Sequence, residues 1–217
     1  MIFDSTGILC VSKDDGETWK MISDHTYDIS SSAHMSTNSY YSGYTSACYG
    51  NDQFYIIGNY VGIKSPDGIN WTSFYWSGYD HGWYKPAIAA GDGIVGITSY
   101  YSGIRWSING GSFLNTSPDA TYWEGICFGN HTFTIIAGNR HAAVVRNTDQ
   151  ITSIEWPDGC YNYSAAIARD PGKVVFNNGT FYCFSAFRLE ASYSYSDDGY
   201  DWISLPFPKT VYEGGYG

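Results

Sequence analysis

The segment Ser65-Pro66-Asp67-Gly68-Ile69-Asn70-Trp71 places a hydroxyl, a carboxylate and a glycine within four residues and closes on an indole. An Asp or Asn two residues after a Ser accepts bonds from the backbone amides of a tight turn, Gly takes up the left-handed conformation, and the Ser bonds back to fix the loop. The Trp is left to pack between neighbouring sheets. The pattern recurs as Ser12-Lys13-Asp14-Asp15-Gly16-Glu17-Thr18-Trp19 and as Ser196-Asp197-Asp198-Gly199-Tyr200-Asp201-Trp202. Ser107-Ile108-Asn109-Gly110-Gly111-Ser112-Phe113 is a weaker copy, with Asn for Asp and Phe for Trp, and Asn147-Thr148-Asp149-Gln150, running on to Trp156, is degenerate. Starts at 12, 65, 107, 147 and 196 lie 53, 42, 40 and 49 residues apart, the period of a propeller blade rather than of a helical solenoid.

A second pattern is expected before each box, by roughly 16 to 20 residues: a short apolar strand, a Gly or Asn turn, and another apolar strand. Its copies are Ala47 to Gly58, Ile88 to Ile97, Ile126 to Ile136 and Val174 to Phe184. Each reads as a hairpin, because Gly, Asn and Asp supply the positive φ that a tight turn demands. Two apolar strands, a short third strand, the box and a fourth strand make one antiparallel blade. A catalytic group is needed once and a structural turn in every blade, so the box carboxylates are read as structural.

These residues carry a family resemblance. The boxes resemble the Asp-box, or bacterial neuraminidase, repeats of sialidase-like propellers. The unit with Tyr49-Gly50-Asn51, Phe54, Gly58 and then Ser65 to Trp71 is similar to repeats of bacteriophage tail-associated and bacterial surface proteins. The resemblance runs from about Ile8 to Trp202 and implies an all-β, five-bladed propeller of four-stranded blades, a single domain over residues 1–217. Met1 to Val11 supply only the second and third strands of the first blade. Thr210 to Gly217, which resembles the start of a repeat, is expected to add the missing innermost strand, so that both termini share one blade and no free edge remains.

Composition narrows the partners. The 21 acidic against 11 basic residues give a formal charge of −10, which repels polyanions and argues against nucleic acid or an anionic membrane surface. The first residues lack a basic region followed by an apolar run, so no signal peptide is expected, and no run of about 20 apolar residues exists to cross a bilayer. Cys10, Cys48, Cys127, Cys160 and Cys183 lack the paired short spacing of a zinc or redox site, and four of them fall in expected strands, where a reduced Cys acts as a small apolar group. The five His share no metal-like spacing; His131 sits at a hairpin turn where an earlier copy has Asp52. No metal and no cofactor are expected.

The candidate recognition surface is the inter-blade loop Ser73 to Lys85, where Tyr75, Trp76, Tyr79 and Trp83 stand beside Asp80 and His81, with Arg140 and His141 as neighbours on another turn. The long loop from Ser23 to Tyr44 also carries aromatics among Ser, Thr and Asn. Rings beside short polar groups suit a glycan, and equally a protein edge; the same rings could instead pack the loops onto the blades. The resemblance raises hydrolysis, but sialidases need three convergent arginines, and of Arg105, Arg140, Arg146, Arg169 and Arg188 none stands in the Arg-Ile-Pro context with which that family's first arginine begins. The expectation is therefore a non-enzymatic recognition module: a receptor-binding or glycan-binding adhesin of a phage virion or an extracellular surface, whose partners are a glycan or host receptor and other virion proteins. A structural virion component and a glycoside hydrolase are the alternatives.

Overall fold

Four hairpins turn on residue pairs in which both φ angles are positive: Asn51 and Asp52, Asp92 and Gly93, Asn130 and His131, Asn178 and Gly179. Positive φ at both central residues is the demand of a two-residue turn whose twist matches that of the flanking strands, and Asn, Asp and Gly meet it at least cost. In the computed structural model the described residues are 2–3, 9–14, 16–22, 44–58, 61–76, 85–100, 102–115, 123–137, 141–145, 161–163, 171–185 and 192–206. Among them there are strands and turns and no helix.

Among the described residues the strands form five antiparallel sheets in two compact units, Met1–Ala120 and Thr121–Gly217. In the first unit, β1 (Ile2–Phe3), β2 (Leu9–Val11) and β3 (Lys20–Ile22) make a three-stranded sheet. The second sheet is β4 (Tyr44–Gly50), β5 (Gln53–Gly58), β6 (Val61–Ser65) and β7 (Thr72–Tyr75), and the third is β8 (Ala87–Gly91), β9 (Ile94–Ser99), β10 (Gly103–Ile108) and β11 (Leu114–Asn115). In the second unit, β12 (Trp123–Gly129), β13 (Thr132–Ala137), β14 (His141–Val145) and β15 (Tyr161–Tyr163) form the fourth sheet. The fifth is β16 (Pro171–Asn177), β17 (Thr180–Ser185), β18 (Ser192–Ser196) and β19 (Ile203–Pro206). Each sheet is a simple meander. The first has strands where the second, third and fourth of a blade are expected, and Thr210 to Gly217 lies outside the described residues.

The boxes join third strands to fourth strands, and three of them share one hydrogen-bond pattern. Asp67 accepts from the amides of Ile69 and Asn70 at 2.8 Å each, and Ser65 Oγ accepts from the Gly68 amide at 2.9 Å. Asp198 accepts from the Tyr200 and Asp201 amides, and Ser196 Oγ from Gly199. Box one contains an extra residue, so Gly16 reaches Ser12 Oγ from four positions on, and Asp14 takes both the amide and the hydroxyl of Thr18. In all three the indole N–H donates to the box glycine's carbonyl, at 3.0 to 3.1 Å.

Two boxes depart from expectation. Trp71 and Trp202 are buried but Trp19 is 44% exposed. A Cβ on Gly68 would touch Val11 of the preceding sheet, and one on Gly199 would strike Thr134 of its preceding sheet, whereas Gly16 meets only its own Trp19. The first box thus has no described sheet behind it to bury its indole. In the third box Asn109 does not cradle the turn; it lies at φ 47° and donates its amide to Gly93 O at 2.8 Å, while Ser107 Oγ bonds forward to Gly111 O.

Within each unit the first strands of neighbouring sheets meet most closely. Asn51 spans to the next hairpin, donating to Ile94 O at 3.0 Å and accepting from the Gly93 amide at 2.8 Å; Asn130 reaches Gly179 O likewise. At the other end of β4, Thr45 Oγ1 donates to Pro86 O and Ser46 Oγ accepts from the Ile88 amide. Apolar cores fill the space between: Tyr55, Ile57, Trp76, Ile88, Ala90, Val95 and Ile97 in the first unit, and Ile136, Val174, Phe181, Cys183 and Trp202 in the second. The other face of the fifth sheet presents Val175, Phe184, Ile203 and Leu205 at 40% to 53% exposure. Cys10, Cys48, Cys127 and Cys183 all lie in strands as free thiols, and burial pushes Cys127 and Cys183 up to about 12. Cys160 lies outside the described residues.

The box carboxylates tie stability to acid. Hydrogen bonds from the Thr18 side chain, the Thr18 amide and Ser12 bring Asp14 down to about 2, and the Asn70 and Ile69 amides hold Asp67 lower still than its ordinary value. A depressed carboxyl contributes stability that is complete above its unfolded value, about 4, and is lost as pH falls through the folded one. The melting temperature is therefore expected to drop between about pH 4 and pH 2, and less steeply for Asp67→Asn, which has no carboxyl there to protonate. A circular-dichroism Tm series on both proteins checks this; parallel curves would refute it.

Candidate functional site

Strand β7 alternates. Phe74 faces the third sheet and is half-buried, Tyr75 is 70% exposed, and Trp76 just beyond the strand is fully buried. Phe74 pairs across the ladder with Gly62, where a Cβ would come within 2.1 Å of the Phe74 ring, so the missing side chain is what seats the ring. On the same face, Tyr55 and Lys64 stand opposite each other in register. The third sheet contributes Val95 and Ser107, also cross-strand partners, and the loop from Gly110 to Phe113.

Between these two sheets lies a notch of about 240 Å³, lined by Tyr55, Lys64, Phe74, Tyr75, Val95, Ser107 and the loop that ends at Phe113. Phe113 stacks on Phe74 with centroids 5.8 Å apart and planes at 19°, and Tyr55 meets Phe74 edge-on at 6.3 Å and 78°. The replacement of Trp by Phe in the third box thus supplies an aromatic wall. Desolvation raises the Tyr55 phenol above its ordinary value, with a hydrogen bond from Asn51 opposing it, so the ring is a neutral donor at pH 7.

Arg105 is not part of the lining but stands on the strand that supplies Ser107 to it. It lies two residues before Ser107 on β10, hence on the same face, and couples electrostatically to Tyr75. Burial lowers the guanidinium from its ordinary value and the Tyr75 phenol opposes the shift. Its Nε is buried and has no hydrogen-bond partner among the described residues. Among those residues neither Arg105 nor Lys64 has a carboxylate partner, in a chain whose acidic residues outnumber its basic ones 21 to 11. A guanidinium is never deprotonated in a protein, so this corner stays cationic.

Of the sequence-predicted surface, Tyr75 stands at the mouth of the notch, and Trp76 is a core residue packed with Ile57 and Ile97. Trp76 is a correction: it follows Phe74 by two, so the strand's alternation sends it inward. Tyr79, Asp80, His81, Trp83 and Arg140 lie outside the described residues. His141 begins β14, paired with Ala137 and Tyr163, rather than sitting on the turn. His131 is an exposed residue of a hairpin turn, as expected. The loop from 23 to 43 and Arg146, Arg169 and Arg188 are outside the described residues. Lys64, Phe74, Arg105 and Phe113 escaped the sequence reading as site residues; the available signal was that Lys64 and Arg105 each stand within two residues of a box serine.

No protein-family model matches the chain, and no curated protein matches it. Solved structures do. The chain is similar to YCF48 bound to a D1 peptide at 12% identity, over 94% of this chain and 63% of that one, with a TM-score of 0.57. It is similar to a chain of the nidogen/laminin complex at 11% identity, over 87% of this chain and 68% of that one, with a TM-score of 0.55. For the Neurospora crassa Pan2 WD40 domain the figures are 7%, 78%, 53% and 0.53. The chain thus spans under two thirds of the first of these. At such identities the likeness concerns fold alone, and the fold is the β-propeller.

Proposed function

We propose that this chain is a non-enzymatic recognition propeller that holds a segment of a partner protein. The observation that carries the reading is the aromatic notch between the second and third sheets, open at Tyr75 and walled by Phe74 and Phe113. Aromatic anchors beside polar groups are what binding hot spots are made of. Two of the similar propellers are described with a peptide or protein partner, which supports the same use here. The resemblance to tail-associated repeats favours a phage virion or an extracellular surface as its place, with a host receptor or another virion protein as partner.

A lectin-like module is the second reading, favoured by the exposed Tyr75 ring beside Ser112, a stacking face next to an exposed hydroxyl. Selection from a random peptide library on the immobilised chain, run beside a glycan array, separates the two. Peptides should be enriched, and Tyr75→Ser should weaken them at least about tenfold with an unchanged Tm, since Tyr75 supports no core. Binding to glycans alone would replace the protein reading with the lectin one, and turnover of an arrayed glycoside would overturn the non-enzymatic one.

A further inference from the structure

A buried polar atom without a partner is costly, and more so on a charged group. Arg105 carries such an atom at Nε, with no partner among the described residues, and stands on β10 on the same face as Ser107, which lines the notch. Lys64 stands on the facing sheet, lining the same space. The two come from third strands of neighbouring sheets. Like charges around one groove, with no carboxylate between them among the described residues, are unfavourable in the free protein and are relieved by an anion.

We propose that the notch between the second and third sheets is a docking site for an acidic peptide segment, whose carboxylates lie against Lys64 and Arg105 while an adjacent aromatic or aliphatic side chain packs against the stacked Phe74 and Phe113 rings. This rests on the recognition reading above and adds the partner's chemistry. A volume of about 240 Å³ takes one large side chain, not a folded surface, so the partner contributes an extended segment. The overall charge of −10 does not forbid this, because at physiological salt charges beyond about 8 Å are largely screened and the local pair of cations dominates. A carboxylate accepts from a guanidinium at two points, which fixes register as well as sign.

The test uses two labelled probes, acetyl-Gly-Asp-Phe-Glu-Gly-amide and its neutral counterpart acetyl-Gly-Asn-Phe-Gln-Gly-amide, with binding read by fluorescence anisotropy. The acidic probe should bind about tenfold more tightly at low salt, with the preference shrinking as salt rises. Arg105→Met and Lys64→Met should each cut that preference, so that each variant binds the acidic and neutral probes more nearly alike. Arg105→Met should keep or raise the Tm, because it deletes a buried N–H that has no partner among the described residues while keeping the aliphatic stem, whereas a guanidinium holding the fold together would lower it. Lys64→Met carries the test independently if the other variant folds poorly. Equal affinity for the two probes, or a preference that survives both substitutions, would overturn the acidic-segment proposal and leave the recognition reading standing. Failure of both probes together with failure of every library peptide would overturn both.

Discussion

Trp76→Ala should cost about 3 to 5 kcal/mol of stability, the range for removing a buried tryptophan, and Trp76→Phe should cost less than about 1.5 kcal/mol. The indole is fully buried among Tyr55, Ile57, Ile88 and Ile97, at the seam between the second and third sheets. Its truncation leaves a cavity that two packed sheets cannot close. Phenylalanine fills most of the space and dispenses with Nε1, which is buried without a hydrogen-bond partner among the described residues. Losing that N–H offsets part of the lost volume. At about 2 to 4 °C per kcal/mol for a chain of this size, the alanine variant should melt roughly 6 to 20 °C lower. Calorimetry on the three proteins checks it. A Trp76→Ala protein with wild-type Tm and weakened peptide binding would return Trp76 to the recognition surface.

The contrast between Tyr75 and Trp76 marks where sequence reading stops. Asn51-Asp52, Asp92-Gly93 and Asn178-Gly179 announce their turns because positive φ is a property of the residue itself. The boxes announce theirs because Ser, Asp and Gly bond within seven residues. Which of two adjacent rings points inward is a matter of register, and a slip of one residue exchanges the faces. Only the pairing of Phe74 with Gly62 settles that Phe74 and Trp76 share the inner face. Trp19 obeys the box chemistry and is still exposed, since burial depends on a neighbouring sheet that no local pattern encodes. The notch is hidden for the same reason. Lys64 and Arg105 are 41 positions apart in sequence, and the substitution of Phe113 for Trp reads as decay of a motif until Phe74 is found stacked on it.

Gly50→Ala should be as damaging as the loss of Trp76, for the opposite reason. A Cβ on Gly50 would lie 2.2 Å from Ala90 O and 2.6 Å from its carbonyl carbon, inside the van der Waals surface of a backbone that cannot swing away. Ala90 is held in β8 by its pairing with Val95, and β4 is tied to β8 and its turns through Ser46 at one end and Asn51 at the other. Relief requires the two sheets to part, which unpacks Cys48, Ile88 and Trp76 together. The expected cost is about 3 kcal/mol or more, at the upper end for overpacking. Gly129 occupies the corresponding place in the second unit, where an added Cβ would meet the Phe176 ring at 2.2 Å. A side-chain ring can tilt where a carbonyl cannot, so Gly129→Ala should cost less, about 1 to 2 kcal/mol. Denaturant melts of both variants decide it. If Gly50→Ala proves the milder of the two, the first strands of the second and third sheets do not approach as closely as their glycine requires.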